Sequence, residues 1–332
     1  MKWMTLWKRK RSSVNIAPGD QVICLGSCFA EHVAQFLRDN KCSVTLNPAG
    51  ILYNPVSISR NAHTWLQGKP TDSRIIKWDE IHHSLDHHGS VSSINEKDLK
   101  DNIRQGDEKA KAAMTASRVA IVTFGSAWVY RWKEDGEIVA NCHKILPEKF
   151  EKAILDKKAI VDKWKHLLSS WKDKNPDLNV IFSVSPVRHI RDGIIENQRS
   201  KSTLILAIAE LVEMFDFAEY FPSYEILVDE LRDYRFYTDD LVHPNSMAVD
   251  YVLNTFSACY FSQDMENMKR ELSALKKAMD HKPFFPQTNS YHDHLRNTQI
   301  KLNALSSEYP DLDWMKEENK LAALWDQATR ST

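Results

Sequence analysis

Three short, uninterrupted apolar runs constrain this chain more than any other feature. VICL (22–25) stops at Gly26-Ser27, VAIVTF (119–124) at Gly125-Ser126, and NVIFSV (179–184) at Ser185-Pro186. A strand apolar on both faces has to be covered on both, which is the situation of a parallel sheet between helices. Directly after the first run, Phe29, Val33, Phe36 and Leu37 recur at i, i+4, i+7 and i+8, the stripe of an amphipathic helix. Ser27 therefore falls in the turn where a strand hands over to a helix. Leu204, Ile208, Leu211, Val212 and Phe215 form another stripe. Ala248, Tyr251, Val252, Thr255, Phe256 and Cys259 form a third, behind Asn245-Ser246 as an N-cap. SVTLN (43–47) and AEYFPS (218–223) read as shorter strands. The alternation predicts an α/β domain, three layers α/β/α with a mostly parallel sheet.

Other segments depart from this alternation. WVYRW and EIVANCH flank Lys133-Glu134-Asp135-Gly136 and read as a hairpin with its glycine in the turn. Residues 148–173 read as one charged helix, and the polar, His-rich stretch 60–115 as an insertion. The basic start, 1–19 with Lys8 to Arg11, reads as a solvated tail ahead of a domain spanning 20–261. From 262 to 332 the chain is polar and helical. There Met265, Met268, Leu272, Leu275 and Met279 recur at 3-4-3-4 spacing, the loop KPFFPQTNS intervenes, and Leu295, Leu302 and Leu305 follow. So narrow a stripe predicts a docked appendage or a homo-oligomer built through these C-terminal helices.

Composition excludes several classes of function. Forty-four Lys+Arg against 45 Asp+Glu leave a formal charge of −1, so no global field points to nucleic acid or an anionic membrane. No apolar stretch reaches 18 residues, and the expectation is no membrane contact and a cytoplasmic location. Five scattered cysteines without CxxC spacing indicate neither a disulfide framework nor a zinc ribbon.

Ligands of open α/β sheets sit beyond the carboxyl ends of the strands. Gly26-Ser27-Cys28, Gly50 with Asn54, Gly125-Ser126 and Ser185-Pro186 fall there on this reading. In TDDLVHPN, Asp240 precedes His243 by three, a spacing that lets the carboxylate accept from imidazole Nδ1–H while Nε2 takes a proton. Serine needs such a base, because its hydroxyl is a poor nucleophile at neutral pH.

These segments, in this order, carry a resemblance. GSCFA (26–30), NPAGILYNP (47–55), GSAWVY, NCHK, SVSPVRH (183–189) and DDLVHPN together resemble the GSCFA family, which is similar to the SGNH (GDSL-type) hydrolases of flavodoxin-like fold. The resemblance covers roughly residues 20–260. It implies Ser27 as nucleophile, His243 as general base and Asp240 as its orienter, without metal or organic cofactor. It also implies a Gly50 N–H in the oxyanion hole. The activity implied is hydrolysis of a small-molecule or carbohydrate acyl ester through an acyl-enzyme, with acyl transfer to another alcohol as the alternative. One departure bears on activity. The oxyanion Asn expected after the central strand is replaced by Gly125-Ser126-Ala127, leaving Ser126, Asn54 or Asn141 as substitutes. Losing such a donor costs about 10²–10³ in rate, which keeps a catalytically impaired binding or scaffold protein as a further reading.

Each candidate also has a plainer reading. Ser27 suits a helix N-cap, and Asp239 competes with Asp240 as orienter. Cys28 is either a small buried filler or an alternative nucleophile at a helix N-terminus. His143 and His189 are substrate contacts or satisfied structural histidines, and Arg188 an anion contact or an ion pair. The cluster His82, His83, Asp86, His87 and His88 lacks a metal-binding frame and reads as a solvated loop. Tyr220, Phe221, Tyr234, Phe236 and Tyr237 are packing residues or a sugar-stacking surface.

Overall fold

The structure, a computed structural model, describes residues 5–68 and 73–330. The first four residues of the expected tail, residues 69–72 of the expected insertion and residues 331–332 of the C-terminal extension lie outside the described residues. β1 (Gln21–Gly26) leads into α1 (Phe29–Asp39), β2 (Ser43–Leu46) and α2 (Pro55–Gln67). The hairpin β3 (Ile75–Trp78) and β4 (Ile81–Ser84) precedes α3 (Glu96–Ala116) and β5 (Val119–Phe124). Then come β6 (Trp128–Trp132), β7 (Ile138–Val139), β8 (Phe150–Ile154), α4 (Lys157–Lys174) and β9 (Asn179–Val184). They are followed by α5 (Ile194–Met214), β10 (Ala218–Phe221), the single turn α6 (Ser223–Glu225) and α7 (Ser246–Tyr260). α8 (Gln263–Asp280), α9 (Asn289–Glu308) and α10 (Met315–Arg330) close the chain.

The central sheet has the order β2-β1-β5-β9-β10, every pairing parallel. Renumbered by succession this is 2-1-3-4-5, the flavodoxin-like order. The pleat divides each apolar run between two cores. Ile23, Leu25, Ala120, Val122, Phe124, Val180 and Phe182 face α2, α3, α4 and α5, with Trp164 and Trp171 fully buried among them. Val22, Cys24, Val119, Ile121 and Ile181 face α1 and α7. Uninterrupted apolar sequence is thus explained by two covered faces.

Three expectations are corrected. Residues 60–115 are not an insertion. α2 and α3 bury Trp65, Leu66, Ala110, Ala113 and Met114 in the main core, and only the β3–β4 hairpin with its loop departs from the crossover pattern. Residues 148–173 are not one helix either, since β8 pairs antiparallel with β6 before α4 begins. The basic start is anchored, because Val14 and Ile16 are buried, Ile16 bridges Phe261, and Arg11 donates to the Phe261 carbonyl. The C-terminal stripe, expected as a docked appendage or an oligomer contact, packs within the chain. Met268, Leu272, Leu275 and Met279 of α8 pack with Leu295, Leu302 and Leu305 of α9 and Leu321 of α10. No helix among the described residues is long and apolar enough to cross a membrane.

Candidate active site

β1 lies between β2 and β5, and the chain reverses its direction of travel across the sheet there, so the carboxyl ends of β1 and β5 form the switch-point crevice. Gly26 closes β1 with φ +126°, and a Cβ on it would lie 2.1 Å from the Thr123 carbonyl oxygen, so only glycine fits. The next residue is held tightly. Ser27 N–H donates to the Thr123 carbonyl at 3.0 Å, and the side chain is 0% exposed. Ser27 Oγ has no hydrogen-bond partner among the described residues. In this conformer it is neither bonded to an imidazole nor open to solvent. Cys28 follows at the N-terminus of α1, half-buried, with the N–H groups of Cys28 and Phe29 directed at its sulfur. Burial, then the charge of Glu31, pushes the thiol up, while Lys201 opposes them.

The expected dyad is present. Asp240 Oδ2 accepts from His243 Nδ1 at 2.6 Å, both side chains about half exposed. Asp240 Oδ1 also accepts from the N–H groups of His243 (3.0 Å) and Val242 (2.8 Å) and from Thr238 Oγ1 (2.7 Å). These bonds, the His243 N–H first, hold the carboxyl well below the usual carboxylate range. Asp239 makes no such bond and is exposed. The loop is fastened by Arg188, whose backbone N–H donates to Val242 O at 3.3 Å and whose guanidinium donates to Leu241 O while lying 4.5 Å from the Tyr237 ring centre. Arg188 thus tethers this loop rather than offering an anion site. His243 is near enough for its charge to lower the His189 and His32 imidazoles.

Two of the expected oxyanion donors, the Gly50 N–H and the Asn54 amide, already have partners. Gly50 N–H donates to Asn47 O at 2.7 Å, and the Gly125 and Ser126 N–H groups donate to Tyr53 O at 2.8 and 3.0 Å. Asn54 is the N-cap of α2, accepting from Ser57 N–H at 2.8 Å and donating to Ser57 Oγ at 3.0 Å. Ser126 Oγ accepts from Trp128 N–H at 3.0 Å. These four positions shape turns. Asn141 Oδ1 accepts from His143 N–H at 2.8 Å, fixing the NCHK turn.

The two histidines are neutral at physiological pH. His143 donates through Nε2 to Ser84 O at 2.7 Å and stacks on His83, and burial pushes it down to about 4. His189 is also pushed down to about 4, by burial and then by the charges of Lys201 and His243. Its Nε2 is buried without a partner, and its ring meets the Tyr53 edge at 5.6 Å. The His82–His88 stretch is structural rather than solvated. His83, Asp86 and His87 are buried, Asp86 pairs with Arg60 and Arg74, and no metal-binding group of three occurs among the described residues. Of the aromatic set, Phe221 is buried in the core, and Tyr234 is the most exposed at 63%. A cleft of about 620 Å³ between β8 and α5, lined by Ile154, Asp156, Ile195 and Arg199, contains none of the expected site residues.

Sequence reasoning missed Lys201. It lies on the buried face of α5, fully covered, with Nζ donating to Gly125 O at 2.9 Å and Ser185 O at 2.7 Å. The signal was present, because the Leu204-Ile208-Leu211 stripe extends back through Lys201 to Asn197.

Comparison with known proteins adds the following. The GSCFA family model matches residues 21–256, and the model described as "GSCFA domain protein, C-terminal domain" matches 272–326. No curated protein matches the sequence. Among solved structures, a carbohydrate esterase family 3 from Talaromyces cellulolyticus is 8% identical, with TM-score 0.26, over 48% of this chain and 65% of its own. A Clostridium thermocellum family 3 carbohydrate esterase is 8% identical, with TM-score 0.32, over 77% of this chain and 98% of its own.

Proposed function

The chain belongs to the GSCFA family, and from that premise we propose that it is an ester hydrolase removing an acyl group from an alcohol, of which a carbohydrate is the class to test first. The observation that carries the reading is the Asp240–His243 pair at 2.6 Å, on a loop that Arg188 tethers to the segment after β9. With Nδ1–H given to Asp240, Nε2 is the imidazole atom left to act as base. In the reaction the nucleophile's oxygen bonds to the acyl carbon, the carbonyl electron pair moves to oxygen, and the proton passes to His243 Nε2. Collapse expels the alkoxide, which takes that proton, and water repeats the sequence on the acyl-enzyme. Ser27 is the nucleophile in this reading, and its buried hydroxyl has to turn out of the fold to attack.

A second reading gives the attack to Cys28. The observation favouring it is accessibility: Ser27 is 0% exposed, whereas Cys28 is half-buried with two helix N–H groups directed at its sulfur. The raised thiol then requires His243 to remove its proton. Turnover of p-nitrophenyl acetate by the wild type, Ser27→Ala, Cys28→Ala and His243→Ala separates the two. Loss in Ser27→Ala and His243→Ala, with Cys28→Ala active, supports the serine. Loss confined to Cys28→Ala and His243→Ala moves the role to the thiol. A wild type that turns over no ester of a broad panel and takes no fluorophosphonate label would sink both and leave a binding protein. Acyl transfer to an added sugar, measured by product mass, distinguishes transferase from hydrolase.

A further inference from the structure

The reaction proposed above leaves one buried ionisable group unused. Lys201 crosses from α5 to the carboxyl ends of β5 and β9 and bonds Gly125 O and Ser185 O, the residues that follow those strands. Gly125 in turn lies against Ser27, since a Cβ on the glycine would sit 3.3 Å from Ser27 Cβ. An ammonium with two carbonyl acceptors has one N–H left, and the Tyr224 ring lies 5.3 Å away to receive it. A methionine would fill this space without the cost of taking a charge out of water. The groups facing Lys201 are Cys28 at the start of α1, His189 in the loop after β9, and Tyr224 and Glu225 on α6. Glu225 is itself bonded by Tyr220 Oη at 2.8 and 2.7 Å.

We propose that Lys201 is a positioning residue of the acyl-transfer site, fixing the two strand ends and placing a positive charge behind the Gly26–Cys28 turn, where the substrate carbonyl oxygen becomes negative. This rests on the acyl-transfer reading. It also accounts for the missing Asn after the central strand: a fixed charge acting through Gly125 takes over part of the oxyanion stabilisation. Burial pushes Lys201 down to about 7, with the charges of Cys28 and Glu225 opposing. The charge is therefore present below that value and lost above it.

Two measurements on the full chain test the assignment. With lysine labelled at 13Cε and Lys201 assigned by its absence in Lys201→Met, the resonance should titrate with a midpoint near 7. A Lys201 neutral throughout from about pH 5 to 9 overturns the proposal, and this readout needs no variant that turns over. On p-nitrophenyl acetate, wild-type kcat should fall as pH rises past the same midpoint. Lys201→Met should lose that limb, with kcat lower by about 10²-fold at acidic pH and KM unchanged. A variant that keeps the alkaline limb, or loses only KM, also overturns it. Absence of wild-type turnover is a different result, defeating the acyl-transfer reading and this assignment with it.

Discussion

At Asp240 one carboxylate holds a loop and an imidazole together: Oδ1 accepts from Val242, His243 and Thr238, and Oδ2 accepts from His243 Nδ1. Its pKa is depressed in the folded state, so its contribution is present above the ordinary carboxylate value of 3.8 and is lost only as pH falls through the lower folded value. Asp240 therefore stays ionised wherever His243 acts as a base. Asp240→Asn keeps the shape but puts a donor against Nδ1 in one amide orientation and weakens the acceptor in the other. Ester turnover should drop by about 10⁴ with little change in melting temperature; an unchanged kcat would remove Asp240 from the mechanism. This pair was legible because Asp-x-x-His is a local geometry, set by three residues of backbone. The hydrogen-bond partners of Gly50, Asn54, Gly125 and Ser126 were not legible, for the opposite reason. Which carbonyl an N–H meets depends on chain brought from elsewhere, as when Tyr53 O takes the N–H groups of both Gly125 and Ser126.

At the scale of elements, the strands were legible because two-sided burial leaves an unbroken apolar run, and α3 was not because its few buried apolar residues, Leu99, Ile103, Ala110, Ala113 and Met114, are spread along a mostly charged helix. Ala110, Ala113 and Met114 are buried there, yet the helix reads as charged, and Gly106 passes close to Pro48 O, where a Cβ would lie 2.9 Å away. Turn geometry supplies a sharper test. Gly26→Ala would force a methyl to 2.1 Å from Thr123 O at φ +126°. The β1–α1 junction cannot give way without parting β1 from β5, and the cost should be on the order of 4 kcal/mol or more, read by urea unfolding. A loss below about 1 kcal/mol would mean that the turn relaxes. Asn54→Ala removes the cap of α2 and should cost about 1 kcal/mol, with kcat unchanged. Lost turnover without lost stability would restore Asn54 to the oxyanion role.

At the scale of the molecule, the C-terminal helices bear on how the chain exists in solution. The narrow apolar stripe that suggested a partner subunit is buried between α8, α9 and α10, and Met265 at the start of α8 joins the core beneath α1 and α7. Sequence period locates an apolar face but not what covers it, which is why appendage and oligomer stood equal before the fold was known. Lys41, with only 8% of its side chain exposed, is a polar tie between this unit and the sheet domain. Its Nζ reaches Glu317 at 2.5 Å and Asp313 O at 2.6 Å, and it lies 4.4 Å from the Trp314 ring centre. Lys41→Ala leaves Glu317 without its partner and strips the cation from the indole face, at a combined cost of about 1–3 kcal/mol. Because those contacts are confined to the start of α10, amide exchange should quicken there and remain slow in β1, β5 and β9. Light scattering should return the mass of one chain, 38.4 kDa, for wild type and variant alike. A wild-type dimer that dissociates on Lys41→Ala would instead place the three helices at a subunit interface, with the intramolecular packing serving to present it.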